Sequence, residues 1–276
     1  MPDKFKAVWV SYSSISDYKK CPRAYYLKNI YKNPKTGKKI ELVAPPLALG
    51  SAVHEVLEPL AKIEPEKRFS ADLIQKFETE FLKYKGIRGG FESDEEFEFY
   101  RQKGLRMINN VIENKSILEN PTLSTNDDLL CPWLSEKNNI VVCGKIDWIN
   151  KDPITGELTV IDFKTSKDEE VDNLQLQIYA LLLRILNMDS VSKLYYWFLD
   201  LNSSLTETTL PNLKQAYESV LELALQIKQV REVGRFECPR GGCFHCRDYE
   251  RILHGEATLV GTGNYGREIY TTISPN

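Results

Sequence analysis

The run Leu158–Lys164 reads LTVIDFK, apolar or β-branched throughout except for one acid and one base. A stretch of this composition behind a turn signal reads as a buried strand. Side chains at i and i+2 of a strand share a face, so Asp162 and Lys164 project together while Phe163 enters the opposite layer. Burying a carboxylate is costly unless a cation lies against it. Any fold for this chain must therefore either close an ion pair on this strand or assemble a site around the acid. D-x-K is short and arises often by chance, and taken alone it favours the ion pair.

The flanking sequence changes that balance. Upstream of residue 128 the apolar period is helical, with helices predicted over 70–86 and 92–116 and another starting near Gly50. That last helix places His54 and Glu58 four apart on one face, and Pro59 kinks or ends it. From residue 128 the segments DLLCPWLSE, NIVVCGKIDWIN and ELTVIDFKTS read as three strands, the last two joined through KDPITGE as a hairpin. The hairpin brings Asp147 next to Asp162. Two carboxylates on adjacent strands suit a hard cation such as Mg²⁺ or Mn²⁺. Lys164 beside such a cation would orient or help activate a water for attack on phosphate.

The remaining segments frame this site. AVWVSY reads as a short strand, and SSISDYKKCPRAYYLKNIY as a helix with a Ser14–Asp17 capping box, bent or split at Pro22. NLQLQIYALLLRILN reads as a buried helix, SKLYYWFLDL as a core strand, and NLKQAYESVLELALQIKQVREVG as an amphipathic helix. Tyr25, Tyr26 and the aromatic run at 195–197 have the spacing of core packing rather than of base stacking. The tail from Gly255, rich in Gly and Thr, is assigned no element.

No run approaches the roughly 18 apolar residues of a membrane span, and the first residues hold no long apolar stretch of a secretion signal, so the expected setting is the cytoplasm, without membrane contact. A net charge of −3 argues against coating nucleic acid by bulk charge, yet the first forty residues carry ten Lys or Arg against two Asp. That basic arm reads either as a solvated lysine-rich surface or as a local track for a polyanion. No G-x-x-x-x-G-K-[ST] loop is present, which argues against an ATP-driven motor within this chain. Three of the six cysteines fall in CPRGGCFHC (Cys238, Cys243, Cys246), a clustering that favours metal over disulfides, with Cys21 as a candidate fourth ligand. Cys131 and Cys143 read as small core residues.

In order, the chain carries G-x-x-x-H-x-x-x-E (Gly50, His54, Glu58), G-x-x-D (Gly144, Asp147), D-x-K (Asp162, Lys164) and Q-x-x-x-Y (Gln175, Tyr179), after a Ser-rich start followed by a tyrosine and Cys-Pro. From about Ser11 to Cys246 it resembles the PD-(D/E)XK nuclease superfamily, in the RecB-like branch that includes the nuclease domains of AddAB-type recombination complexes and CRISPR-associated RecB-like exonucleases. The resemblance implies an α/β, restriction-endonuclease-like core: a mixed central sheet flanked by helices, with a helical insertion and a cysteine-cluster domain built from the N- and C-terminal segments. The expected divisions are 1–49 (strand, helix and basic arm), 50–126 (helical block), 127–210 (nuclease core), 211–254 (C-terminal helix and cysteines) and 255–276 (tail).

The resemblance also implies roles. His54, Asp147 and Asp162 would ligate Mg²⁺ or Mn²⁺, joined by the Phe163 carbonyl, and Lys164 would position the attacking water and stabilise charge in the transition state. Gln175 and Tyr179 would contact the DNA backbone or buttress the site, and Glu58 would be a surface group or a neighbour of the ligands. Cys21, Cys238, Cys243 and Cys246 would bind a four-iron four-sulfur cluster, four thiolates suiting zinc as the alternative. The branch usually runs C-x2-C-x5-C. Here Ile252 stands where the last cysteine falls, and Cys238 precedes the pair instead. The function implied is a metal-dependent exonuclease on single-stranded or frayed DNA ends, working with a helicase or recombination partner. The alternative is a catalytically silent DNA-binding or scaffold subunit with the same fold.

Overall fold

The computed structural model describes residues 3–123, 129–166 and 173–273. In chain order these form β1 (Val8–Ser11), α1 (Tyr12–Lys20), α2 (Pro22–Tyr25), β2 (Ile40–Leu42), α3 (Pro45–Leu57), α4 (Leu73–Leu82), α5 (Asp94–Glu113), β3 (Trp133–Ser135), β4 (Ile140–Cys143), β5 (Trp148–Lys151) and β6 (Leu158–Lys164). They continue with α6 (Leu174–Ile185), β7 (Val191–Phe198), β8 (Thr206–Thr208), α7 (Leu213–Val233), α8 (Phe244–Leu253), β9 (Thr258–Thr262) and β10 (Glu268–Thr271).

The expected strand LTVIDFK is interior to a mixed four-stranded sheet of order β5-β6-β7-β8. β5 and β6 form the expected antiparallel hairpin, with Trp148 opposite Ile161, and β6 runs parallel to β7 after a crossover through α6. The period of two then sorts the side chains. Val160, Leu194, Tyr196 and Phe198 pack with α6 and α7, whereas Trp148, Ile161, Phe163 and Trp197 pack with α3, α4 and α5. Helices cover both faces, as a sheet this apolar requires. Tyr25, Tyr196 and Trp197 are buried, in keeping with core packing.

Arg68 locks the helical layer to this sheet. It is 1% exposed, and its guanidinium donates to the carbonyls of Leu60 (3.1 Å), Ile63 (2.9 Å), Asn120 (2.6 Å) and Leu118 and to Thr122 Oγ1 (2.9 Å), while lying 4.9 Å from the Trp148 ring.

Several local expectations differ from the structure. NIVVCGKIDWIN is not one strand: it breaks into β4, in the sheet of order β1-β4-β3, and β5, in the four-stranded sheet. Gly144 explains the break. A Cβ there would lie 2.6 Å from Leu182 on α6, so only glycine lets the chain pass that helix and turn toward Asp147. DLLCPWLSE contributes only β3, and the start of that segment, like the expected 126/127 boundary, lies outside the described residues. α3 starts at Pro45 rather than near Gly50, because prolines at its first two positions need no backbone donor there. The capping box pairs Ser11 with Ser14, not Ser14 with Asp17. Pro22 splits the first helix, and Tyr26–Ile30 continues it as a π-helical turn. The tail from Gly255 is not irregular: β9 and β10 form a hairpin, and β10 pairs parallel with β2 in a third sheet of order β2-β10-β9.

Candidate active site

α3 presents His54 on its last turn, and Glu58 follows where Pro59 ends the α-helix and a 3-10 turn begins. The spacing of four closes a hydrogen bond between His54 Nδ1 and Glu58 Oε1 at 3.0 Å. Asp147, delivered by the Gly144 bend to the foot of β5, places Oδ1 3.6 Å from the same Nδ1. Its other oxygen, Oδ2, accepts the backbone N–H of Phe163 at 2.9 Å, which fixes the carboxylate against β6. Ligand-capable atoms of His54, Glu58 and Asp147 all lie within 4.8 Å of one another. Lys145 forms an ion pair with Glu58.

The acid and base of β6 face α6, on the same side of the strand. Lys164 Nζ lies 2.6 Å from Asp162 Oδ2 and donates to Gln175 Oε1 at 2.6 Å. Gln175 Nε2 donates to Asp162 Oδ1 at 2.8 Å and contacts the Tyr179 hydroxyl at 2.9 Å. Thus Gln175 and Tyr179, one turn apart on α6, buttress the Asp162–Lys164 pair, and Tyr179 is itself buried. Asp162 Oδ2 has a charge contact with Lys164 that lacks hydrogen-bond alignment, and it is fully buried with no donor among the described residues. Asp162 stands outside the 4.8 Å group of His54, Glu58 and Asp147. Phe163 sends its ring into the opposite layer, 6.2 Å from both Trp148 and Trp197.

Three acids and one imidazole crowded into a partly buried site repel as well as attract. Burial, then the charge of Asp162, lifts the Asp147 carboxyl to about 7. Burial likewise raises Asp162, against the pull of Lys164 and His54. Burial opposes charge on His54, but Glu58 and Asp147 outweigh it and lift the imidazole to about 9. Burial also opposes charge on Glu58, yet the His54 and Lys145 contacts prevail and hold its carboxyl below the usual range. A divalent cation relieves such a cluster. The donor set of imidazole and carboxylate oxygens, with an undonated buried oxygen on Asp162, fits one. Sequence reasoning gave Glu58 a lesser place than the geometry does. Its spacing from His54 was legible, but the approach of Lys145 from the G-x-x-D bend was not.

A second group lies elsewhere. Sulfur atoms of Cys21, Cys238, Cys243 and Cys246 fall within 4.8 Å of one another, and none is in a disulfide. Cys21 sits between α1 and α2, Cys243 caps α8 and Cys246 lies on its first turn, with the last two sulfurs 3.9 Å apart. The unusual order of the cysteines is accommodated by Gly241 and Gly242, whose φ values of 65° and 123° fold Cys238 back onto the helix. Backbone N–H groups of Arg240 and Gly242 help hold the Cys238 thiol down at about 6, despite burial, whereas burial pushes Cys246 up to about 12. Arg23 clamps the lobe through a forked pair to Glu250 at 2.6 and 3.1 Å. Neither His245 nor His254 belongs to the sulfur group.

A family model for the PD-(D/E)XK nuclease superfamily matches residues 9–249, a span that contains both groups. Comparison with curated proteins gave no match. Among the described residues no helix is long and apolar enough to cross a membrane. With a family match over most of its length, a mixed sheet between two helical layers and an acid–lysine pair on the central strand, the chain belongs to the PD-(D/E)XK nuclease superfamily, a superfamily of metal-dependent nucleases that act on DNA.

Proposed function

We propose that the chain is a Mg²⁺- or Mn²⁺-dependent exonuclease of the RecB-like branch, acting in the cytoplasm on single-stranded or frayed DNA ends during repair or recombination, alongside a helicase or recombination partner. The observation that carries this reading is the convergence of His54, Glu58 and Asp147 beside an Asp162–Lys164–Gln175 relay. His54, Asp147 and Asp162 hold the cation, with the Phe163 carbonyl as a further oxygen and Glu58 either as a ligand or as the group that orients His54. A cation held there would supply charge neutralisation at the scissile phosphate and a lowered pKa for a water. Lys164 aligns that water and donates to the phosphate oxygens as charge grows on them. Gln175 and Tyr179 are positioning residues: they fix Asp162 and Lys164, Tyr179 from a buried place and the half-buried Gln175 at the edge of the site.

The test is digestion of single- and double-stranded DNA labelled at either end, with Mg²⁺ or Mn²⁺ and with EDTA as the control. Mononucleotide release from one end, strongest on single strands, is the expected result. A protein that binds DNA yet releases nothing with either ion returns the reading to a silent scaffold subunit.

Ion binding should depend on pH in a defined direction. Asp147, raised to about 7, and His54, raised to about 9, both carry protons below those values that an ion must displace. Affinity for Mn²⁺ is therefore expected to climb as pH rises through about 7 and again toward about 9, by up to roughly tenfold per unit for each proton released. Calorimetric titration in two buffers of different ionisation heat counts the protons, and a pH-independent affinity would contradict the assigned ligands.

The four cysteines, we further propose, hold a four-iron four-sulfur cluster, zinc being the other metal their thiolates suit. Replacing Cys21 with serine is expected to strip the metal. Metal analysis of anaerobically purified protein should show about four irons per chain in the wild type and few in the variant. Stoichiometric zinc in the wild type would replace the cluster with a zinc site.

A further inference from the structure

The basic arm divides in two. Arg23 and Lys28 are tied into the cysteine lobe, through Glu250 and through Asp17 at 2.8 Å. The loop that follows carries Lys32, Lys35, Lys38 and Lys39 and leads into β2. The Lys39 carbonyl accepts the N–H of Glu268, which seats Lys39 at the start of the β2–β10 pairing, with Arg267 next to that donor in sequence. Arg231, near the end of α7, and Lys32 complete the group: burial holds the Lys39 ammonium below its ordinary range, and the charges of Arg267, Arg231 and Lys32 push it the same way. Among the described residues Lys32, Lys35 and Lys39 form no ion pair, and Arg267 meets one carboxylate, Glu41, at 3.9 Å. Glu41 and Glu268 offset Arg267 and Lys38 here, which leaves Lys32, Lys35 and Lys39 as cations that a polyanion would neutralise.

The same sheet displays an aromatic ring. Tyr265, at the tip of the β9–β10 hairpin, is 91% exposed, and its backbone has φ 59° and ψ 24°. That left-handed conformation favours glycine, so a tyrosine here carries both a backbone strain and an apolar ring held in water. Neither contributes to folding, and Tyr265 lies two residues from Arg267. An exposed ring beside a track of cations is how proteins hold unpaired nucleic acid, with charge on the phosphates and the ring against a base.

We propose that the β2–β10–β9 sheet, through Lys32, Lys39, Arg231, Arg267 and Tyr265, is a contact surface for single-stranded DNA additional to the cleavage site. This rests on the nuclease reading above and gives the basic arm its task. The cations take successive phosphates and Tyr265 stacks on an unpaired base. In a duplex both faces of each base are already stacked, so the ring selects single strands.

The test is fluorescence anisotropy of a labelled oligothymidylate and of a labelled duplex with the full chain in EDTA, where nothing is cut. The Lys39→Glu/Arg267→Glu double variant is expected to weaken oligothymidylate binding at least about tenfold at low salt and to flatten the salt dependence by about 1.4 log units per log unit of salt. Tyr265→Gly relieves the backbone, so its thermal midpoint should equal or exceed that of the wild type while affinity falls about tenfold; Tyr265→Phe should restore it. The surface is refuted if these variants bind oligothymidylate as tightly as the wild type, or if the wild type prefers the duplex. The two readings fail separately. A wild-type chain that binds the strand but never cuts it refutes the nuclease, and one that cuts while the folded variants bind normally refutes this surface.

Discussion

Asp162→Ala is expected to lower DNA cleavage by roughly a thousandfold or more, the scale set by removing a group that stabilises transition-state charge. The fold should survive. Asp162 is 1% exposed and its carboxyl is raised by burial, so the folded chain binds that proton more readily than the unfolded chain does. An acid raised in this way lowers stability as pH climbs from its unfolded value through its folded one, so removing it lifts a penalty at neutral pH. Asp162→Asn is the sharper control, because its side-chain oxygen can still accept from Gln175 Nε2. In EDTA its unfolding free energy should lie within about 1 kcal/mol of the wild type at neutral pH, with a shallower decline as pH rises above the ordinary carboxylate range. Cleavage assays and urea titrations on the two variants separate chemistry from folding, and near-normal cleavage by either would remove Asp162 from the site.

The largest expected loss of stability lies far from any chemistry, at Arg68. Arg68→Met keeps the volume and the contact with Trp148 but leaves the carbonyls of Leu60, Ile63, Leu118 and Asn120 without their donor. Each buried carbonyl left without a donor costs about 1–3 kcal/mol, and a total of roughly 3–5 kcal/mol for a chain of this size lowers the thermal midpoint by roughly 10 °C. Arg68→Lys should recover only part of this, because an ammonium with three donors cannot reproduce the fork. Thermal and urea unfolding measure the loss, and an effect under about 1 kcal/mol would mean that water replaces the guanidinium.

These two residues also mark what was legible in the sequence. The hairpin around Asp162 could be read because its signals are local: β-branched residues with period two, and a Pro- and Gly-bearing turn. The helix supplying His54 and Glu58 was equally plain, apart from its start. The prolines at 45 and 46 signal a first turn, and the helix begins there. By contrast, nothing local says that NIVVCGKIDWIN must break. The reason is Leu182 pressing on Gly144, a contact between segments far apart in the chain. The β9–β10 hairpin escaped for a related reason. Its Gly- and Thr-rich strands gain their order from pairing with β2, at the other end of the sequence. Arg68 gave no signal, since its partners are backbone carbonyls that any residue supplies.

The cysteine lobe has a consequence for how the chain is made. Cys21 emerges from the ribosome early, but its partners Cys238, Cys243 and Cys246 are translated only after the sheet, both helical layers and α7. Synthesis proceeds at about 5–20 residues per second, and nascent segments fold as they appear. The central sheet can therefore be packed before the lobe can shut, and β1, whose partner β4 comes midway, is placed before Cys21 meets its thiols. Closure waits for these late cysteines, and β10 reaches β2 later still, so a metal held by the four thiolates would latch an already packed central core rather than seed its folding.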